Sequence, residues 1–326
     1  MIMEEAELCF PPLNTSCTKT MRPRSVLFSS LLTFISVLTV VLNLLVIISI
    51  SHFRQLHTTT NLLVFSLAVT DFLVGLLQMP TEILLYQGCW ILGDFLCAVN
   101  FLVGGFLISV SVGNMVLISV DRYVAICDPM LYSTKVTPKR LQVSICLCWL
   151  FSAVHTSWIL RDVFRQQDKY DLCYGECVIE LKVTDAAIYT AGIFLGPITV
   201  IVVLYMRVFV VAVSQARAMR SDIAAVSLQC SQGAKPKKSE IKAARTLGVV
   251  VVVFVLCYSS FCVITVGIMN SSTWGPAATM QYWLVYCNSC LNPLIYACVY
   301  PWFRKSVKHI VTLQILQPDS SDANIL

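Results

Sequence analysis

Charge is what this 326-residue chain has least of: 13% of its residues are Asp, Glu, Lys or Arg, against 57% hydrophobic, and its mean hydropathy is +0.76. A soluble domain carries roughly 25% charged residues, so a single water-soluble globule is excluded. Histidine is scarce, at four residues, and no Cys-x-x-Cys faces a His pair, so no metal site is expected. The apolar stretches lack the alternation of membrane-spanning β-strands. No nucleophile, phosphate-binding loop or metal cluster stands at a position suited to catalysis, and an enzyme is not expected. The first residues carry Glu4, Glu5 and Glu7 in place of the basic opening of a cleavable signal peptide, so the first apolar run is expected to direct the chain to the membrane.

What the chain has is seven continuous apolar runs. They fall at roughly 25–51, 59–86, 95–120, 140–160, 184–210, 246–269 and 277–299, and each is long enough to cross ~30 Å of hydrocarbon. The fold class is an all-α membrane protein, a bundle of seven transmembrane helices over 25–300. An outside tail occupies 1–24. An inner segment, 301–326, opens with Pro301, Trp302, Phe303, Arg304 and Lys305, the start of a short amphipathic helix on the membrane surface. Of the 23 Lys and Arg, sixteen fall on one side of the runs and seven on the other. The richer side is the cytoplasmic one, so the amino terminus is expected outside. The net charge of +5 reports this topology and lends no support to a nucleic-acid partner. The inner connection from about 211 to 241 has no apolar period and reads as mobile and basic, suited to an acidic protein surface or to lipid headgroups.

Cys9, Cys17, Cys89, Cys97, Cys173 and Cys177 fall in or beside outside segments, where disulfides persist. The other nine of the 15 cysteines read as small buried apolar residues. Asn14 and Asn270 open glycosylation sequons on the outside.

Polar residues inside the runs carry the functional signal. Asp71 lies deep in the second run, where a carboxylate must find partners or water. Asn43, Ser111, Asn288, Ser289 and Asn292 are placed to cluster around it, as an ion or water cavity or as plain helix-packing hydrogen bonds. Asp121-Arg122-Tyr123 ends the third run at the inner boundary. Arg122 there either snorkels to headgroups or pairs with a carboxylate, and Glu240 starts the sixth helix on the same side. Pro293 follows Asn292 inside the seventh run and removes a backbone donor, so this pair marks a place built to bend in a protein-lined interior.

The block NSCLNPLIYACVYPWFRK at 288–305, Asp121-Arg122-Tyr123 followed by Val-Ala-Ile-Cys-Asp-Pro, Trp149, Pro197, Tyr205 and Lys242-Ala-Ala-Arg-Thr-Leu-Gly248 together resemble the rhodopsin-like G-protein-coupled receptors. Asn288-Ser289 with Tyr300, Trp302 and Phe303 is similar to the trace amine-associated receptors in particular. The resemblance implies a multi-pass receptor of the plasma membrane that binds a small amine outside and activates a heterotrimeric G protein. It also implies a stimulatory G protein, cyclic AMP and an olfactory neuron. It implies an internal sodium ion with water at Asp71, Ser111, Asn288 and Asn292. An Arg122–Glu240 latch, flanked by Asp121 and Tyr123, would hold the inactive state, with Tyr205 and Tyr296 swinging in when it opens. A Cys97–Cys177 disulfide is implied at the outer rim, leaving Cys173 for Cys17, and the Asn14 sequon fits the same pattern.

Two departures bear on the ligand. Aminergic relatives carry an aspartate eighteen residues before the arginine of the Asp-Arg-Tyr motif, and here that position is Gly104. This loss resembles divergent fish members of the group. The sixth run reads Cys257-Tyr258-Ser259-Ser260-Phe261 in place of Cys-Trp-x-Pro-Phe, which makes Tyr258 the switch residue. A ligand cation then needs another carboxylate. Glu82 lies eleven residues after Asp71 toward the outside, and Asp185 lies three turns outward of Pro197. With both facing inward, a diamine fits better than a monoamine. Phe106, Phe261, Trp283 and Tyr286 are candidates for an aromatic lining that attracts cations. The rival readings are a receptor of the same fold for non-amine ligands and a membrane transporter, though no paired broken helices support the latter.

Overall fold

The computed structural model describes residues 9, 25–86, 89–165, 177, 182–225, 248–249, 251–259 and 276–325. Among the described residues every regular element is helical. Helix α1 spans Ser25–His52. Helix α2 (Thr59–Leu73) begins where the Thr58 hydroxyl accepts the Asn61 amide at 3.3 Å, which takes up one of the free donors of a helix start. A widened π-type turn, Val74–Gln78, joins it to α3 (Met79–Tyr86). Helix α4 (Gly93–Cys127) is followed by the short α5 (Pro129–Lys135) and by α6 (Pro138–Ile159), which starts with a Thr137 cap and Pro138 in its first turn. Proline is tolerated there because that N–H has no helical partner. After α7 (Arg161–Arg165), α8 (Val183–Thr190) runs through a second widened turn, Ala191–Leu195, into α9 (Gly196–Ala225). Helical residues 251–259 form α10. Helices α11 (Pro276–Val299) and α12 (Pro301–Val311) complete the order.

Among the described residues, five helices are long and apolar enough to span a membrane: α1, the α2–α3 rod, α4, α6 and the α8–α9 rod. Helix α11, with 24 residues, supplies the seventh expected span, and α10 lies within the sixth. One boundary differs from expectation. Residues 211–225, assigned from sequence to the inner connection, continue α9 as helix. A helix can run on past the bilayer because its backbone bonds are internal, so the end of an apolar run marks the membrane and not the end of the helix.

Helix α4 packs against α2, α6 and α9. A Cβ at Gly113 of α4 would run into the Cys148 Sγ of α6, so a larger residue here requires the Cys148 side chain to move. Trp149 of α6 donates its indole N–H to Ser66 at 3.1 Å. Ser66 donates to the Asn114 carbonyl at 2.9 Å, and the Asn114 amide donates to Thr70 at 3.3 Å. These bonds tie α2, α4 and α6 together. The opposite face of α6 presents Val143, Leu147, Leu150, Phe151 and Val154, each more than half exposed. An apolar stripe of that length calls for lipid around it.

Helix α12 buries Trp302, Phe303 and Ser306 and packs against α1, leaving Arg304 and Lys305 exposed. Beyond it the chain folds back under the first inner turn, Arg54–Leu56. Ser320 Oγ lies 2.9 Å from His52 Nε2, Arg54 meets Asp322 at 3.4 Å, and the Ile325 amide donates to Gln55 Oε1 at 3.2 Å. Ile325 is buried. This return was not foreseen, because no apolar period precedes it.

Candidate functional site

Three layers of polar side chains run down the bundle interior. The outer layer begins at the widened turn that ends α2. Such a turn carries one residue more than an α-turn, so α3 is rotated by roughly 100° relative to the continuation of an unbroken helix. Gln78 closes that turn and Glu82 lies one turn on, both buried and facing α4 and α11. The Gln78 amide donates to Glu82 Oε1 at 3.3 Å and to Asn100 Oδ1 of α4 at 3.2 Å. Tyr286 of α11 donates its hydroxyl to Glu82 Oε1 at 3.4 Å. A Cβ built on Gly104 would lie 2.9 Å from Gln78 Nε2 and 3.1 Å from its Oε1. The Gln78 amide therefore stands where a side chain at position 104 would point. Trp283 meets Tyr286 edge-on, with ring centres 6.3 Å apart. Phe261 lies outside the described residues. Phe106 packs edge-on against Trp149 at 5.8 Å, on the α6 side.

Asp185 is placed differently from its expected role as a second ligand carboxylate. It is buried, but Arg161 Nη2 lies 3.6 Å from its Oδ2. Arg161 also lies 3.9 Å from Asp162 and stacks 4.4 Å over Trp158, while Lys182 pairs with Asp162. A carboxylate with its own guanidinium is not poised for a ligand ammonium.

The middle layer surrounds Asp71, which is fully buried. Asn292 donates to its Oδ2 at 2.8 Å. Asn43 donates to the Thr39 carbonyl at 2.9 Å and to the Ser289 carbonyl at 3.0 Å, one turn before the backbone interruption at Pro293. Asp71 Oδ1, Asn288 Oδ1 and Asn292 Oδ1 are buried without a protein hydrogen-bond partner. The Ser111 hydroxyl is buried in the same way, and hard oxygen donors of this kind suit a small cation and water. Tyr258 of α10 stacks on Phe254 at 4.2 Å and tilts against Phe194 at 5.9 Å.

The inner layer holds Arg122. Its Nε donates to Asp121 Oδ2 at 3.0 Å, and its Nη2 contacts both Asp121 and the Thr60 hydroxyl of α2. Thr60 donates to Asp121 at 3.2 Å, and Tyr132 of α5 donates to it at 2.8 Å. Arg122 is thus held by α2 and α5 through Asp121. Glu240, its expected partner, lies outside the described residues, and Tyr123 is half-buried. The hydroxyls of Tyr205 and Tyr296 are buried without a hydrogen-bond partner.

At the outer rim Cys97 is bonded to Cys177, Cα atoms 5.7 Å apart. A second bond joins Cys9 to Cys89, a pairing that sequence reasoning missed, because the six outside cysteines allow many connectivities. Cys17, Cys173, Asn14 and Asn270 lie outside the described residues. Thr60, Gln78, Asn100 and Tyr132 were also missed. For Gln78 a signal existed, since it stands four residues before Glu82 and so shares its helix face.

Residues 42–296 match the family described as 7 transmembrane receptor (rhodopsin family). The chain is 36% identical over 332 residues to trace amine-associated receptor 13c of Danio rerio, covering 99% of this chain and 97% of that one. It is 37% identical over 334 residues to trace amine-associated receptor 9 of Homo sapiens, covering 99% and 95%. It is 36% identical over 311 residues to trace amine-associated receptor 1 of Mus musculus, covering 91% and 92%.

Proposed function

Since the chain belongs to the trace amine-associated receptors of the rhodopsin-like seven-transmembrane family, a group of receptors and not enzymes, we propose that it senses a small amine held by Glu82. The observation that carries this reading is the Glu82–Tyr286 contact at 3.4 Å, a buried carboxylate linked through Gln78 to the glycine at the position where aminergic relatives carry theirs. An ammonium seated on Glu82 gains a charge-assisted bond and competes with the Tyr286 hydroxyl for the same oxygen. That competition loosens α11 from α3, and the Asn292-Pro293 break lets α11 bend. Tyr258, packed between Phe254 and Phe194, carries the change to α10. At the inner end Arg122 leaves Asp121 and Thr60, and the opened face receives a heterotrimeric G protein.

The amino terminus lies outside the plasma membrane in this reading, as the distribution of Lys and Arg favours. Family resemblance favours a stimulatory G protein, cyclic AMP and an olfactory setting. Asp71, Ser111, Asn288 and Asn292 would hold a sodium ion with water, the ion supplying a counter-charge to the buried carboxylate. Because Arg161 already neutralises Asp185, a monoamine fits better than a diamine. Gly104 favours one other reading, a non-amine ligand in the same fold. Cyclic AMP in cells expressing the full chain, across monoamines, diamines and neutral odorants, separates the two. Responses to amines that vanish in Glu82→Gln support the proposal, and responses to neutral odorants alone refute it.

A further inference from the structure

Gln78 is buried to 2% exposure, and its amide is used asymmetrically. The nitrogen serves both Glu82 and Asn100. The oxygen, Oε1, is buried with no protein partner. Buried carbonyls are almost always matched by a donor, and Oε1 borders the space that Gly104 leaves, 3.1 Å from where a Cβ there would stand. The position has an exclusion built in. The amide lies about where the first side-chain atom of residue 104 would be, so a carboxylate on α4 and the Gln78 amide cannot occupy this space together. Glycine at 104 admits the amide.

Resting on the Glu82 anchor proposed above, we infer that Gln78 is a specificity-determining residue of the same site, whose side-chain oxygen accepts a second N–H of the ligand and so selects primary ammonium ions. A primary ammonium has three N–H donors, enough for Glu82 and Gln78 together. Each N-methyl group removes one donor and adds bulk beside the amide, and a trimethylammonium offers no hydrogen to either acceptor. Charge alone would rank these ions nearly equally, and a ranking that collapses when the amide is removed reports the amide.

The test is a dose-response series in cells expressing the full chain. The probes are hexylamine and its N-methyl, N,N-dimethyl and N,N,N-trimethyl forms, read as cyclic AMP with receptor at the surface counted separately. Hexylamine is expected to be at least about tenfold more potent than the dimethyl form, as loss of one good hydrogen bond gives. Gln78→Met, of similar shape, is expected to weaken hexylamine by about tenfold while leaving the dimethyl form within about threefold, so the preference collapses. Gly104→Ala displaces the amide, and with it the bond to Glu82, while leaving both side chains in the protein; it is expected to shrink the preference in the same direction, which covers the case in which Gln78→Met fails to reach the surface. A wild-type preference retained in Gln78→Met, or in Gly104→Ala where Gln78→Met is not displayed, overturns the inference. If Glu82→Gln still abolishes every response in that event, the anchor stands and only the selector falls. If the wild type ignores the whole series, or Glu82→Gln responds as the wild type does, anchor and selector fall together.

Discussion

Asn292 donates its side-chain amide to Asp71 Oδ2 across 2.8 Å, and this bond joins α11 to α2 at the point where Pro293 interrupts the backbone ladder. Replacing Asn292 by Leu strands a buried carboxylate oxygen, at a cost of about 1–3 kcal/mol. Purified receptor carrying Asn292→Leu is expected to melt several degrees below the wild type in the same detergent. An unchanged melting temperature would mean that Asp71 finds its stability elsewhere.

If a small cation sits with Asp71, the buried oxygens of Asn288 and Asn292 have a use. Exchanging sodium for choline should then lower the melting temperature of the wild type, since a ligand that binds only the folded state stabilises it. In Asp71→Asn the exchange is expected to have no effect. Equal sensitivity in both proteins argues against an ion there.

Arg122 is held by Asp121, Thr60 and, one step out, Tyr132. Thr60→Val deletes its bonds with Arg122 and Asp121, and Tyr132→Phe deletes its bonds with Asp121 and Thr59; a net loss of about 1 kcal/mol is enough to move a two-state balance roughly fivefold. Both variants are expected to raise cyclic AMP without ligand, at equal surface amounts. Basal levels at or below wild type would show that the contact does not hold the resting state.

How far the amino-acid order discloses all this depends on the range of the interaction. The spans were legible because continuous apolar runs reflect the bilayer itself, and Asp71, Arg122 and Asn292 stood out because polar groups in such runs are costly. The widened turns at Val74–Gln78 and Ala191–Leu195 were not legible. They change which face a residue shows without changing composition, and they bring Gln78 to Gly104. The pairing of Asp185 was hidden for a different reason. Its counter-ion, Arg161, lies on another helix 24 positions earlier, where no helical spacing could link the two. The α9 extension to Ala225 and the return of Ile325 beneath Arg54–Leu56 depend on helix continuity and on packing, and neither leaves a periodic mark.

The Arg161–Asp185 contact at 3.6 Å makes a prediction about ligand length. Wild-type receptor is expected to gain nothing from a second amino group, so 1,6-diaminohexane should be no more potent than hexylamine. In Arg161→Met, Asp185 loses its cation, and the diamine is expected to gain about tenfold relative to the monoamine, the scale of one buried charge pair. A diamine preference already present in the wild type would show that Asp185 is open to ligand.

The most direct measurement is the equilibrium affinity of purified full-length receptor for hexylamine, wild type beside Glu82→Gln. Removing one partner of a buried charge pair costs about 2–5 kcal/mol, so the affinity is expected to drop at least roughly 30-fold while the melting temperature without ligand stays near that of the wild type. Equal affinity in the two proteins contradicts a ligand cation held by Glu82.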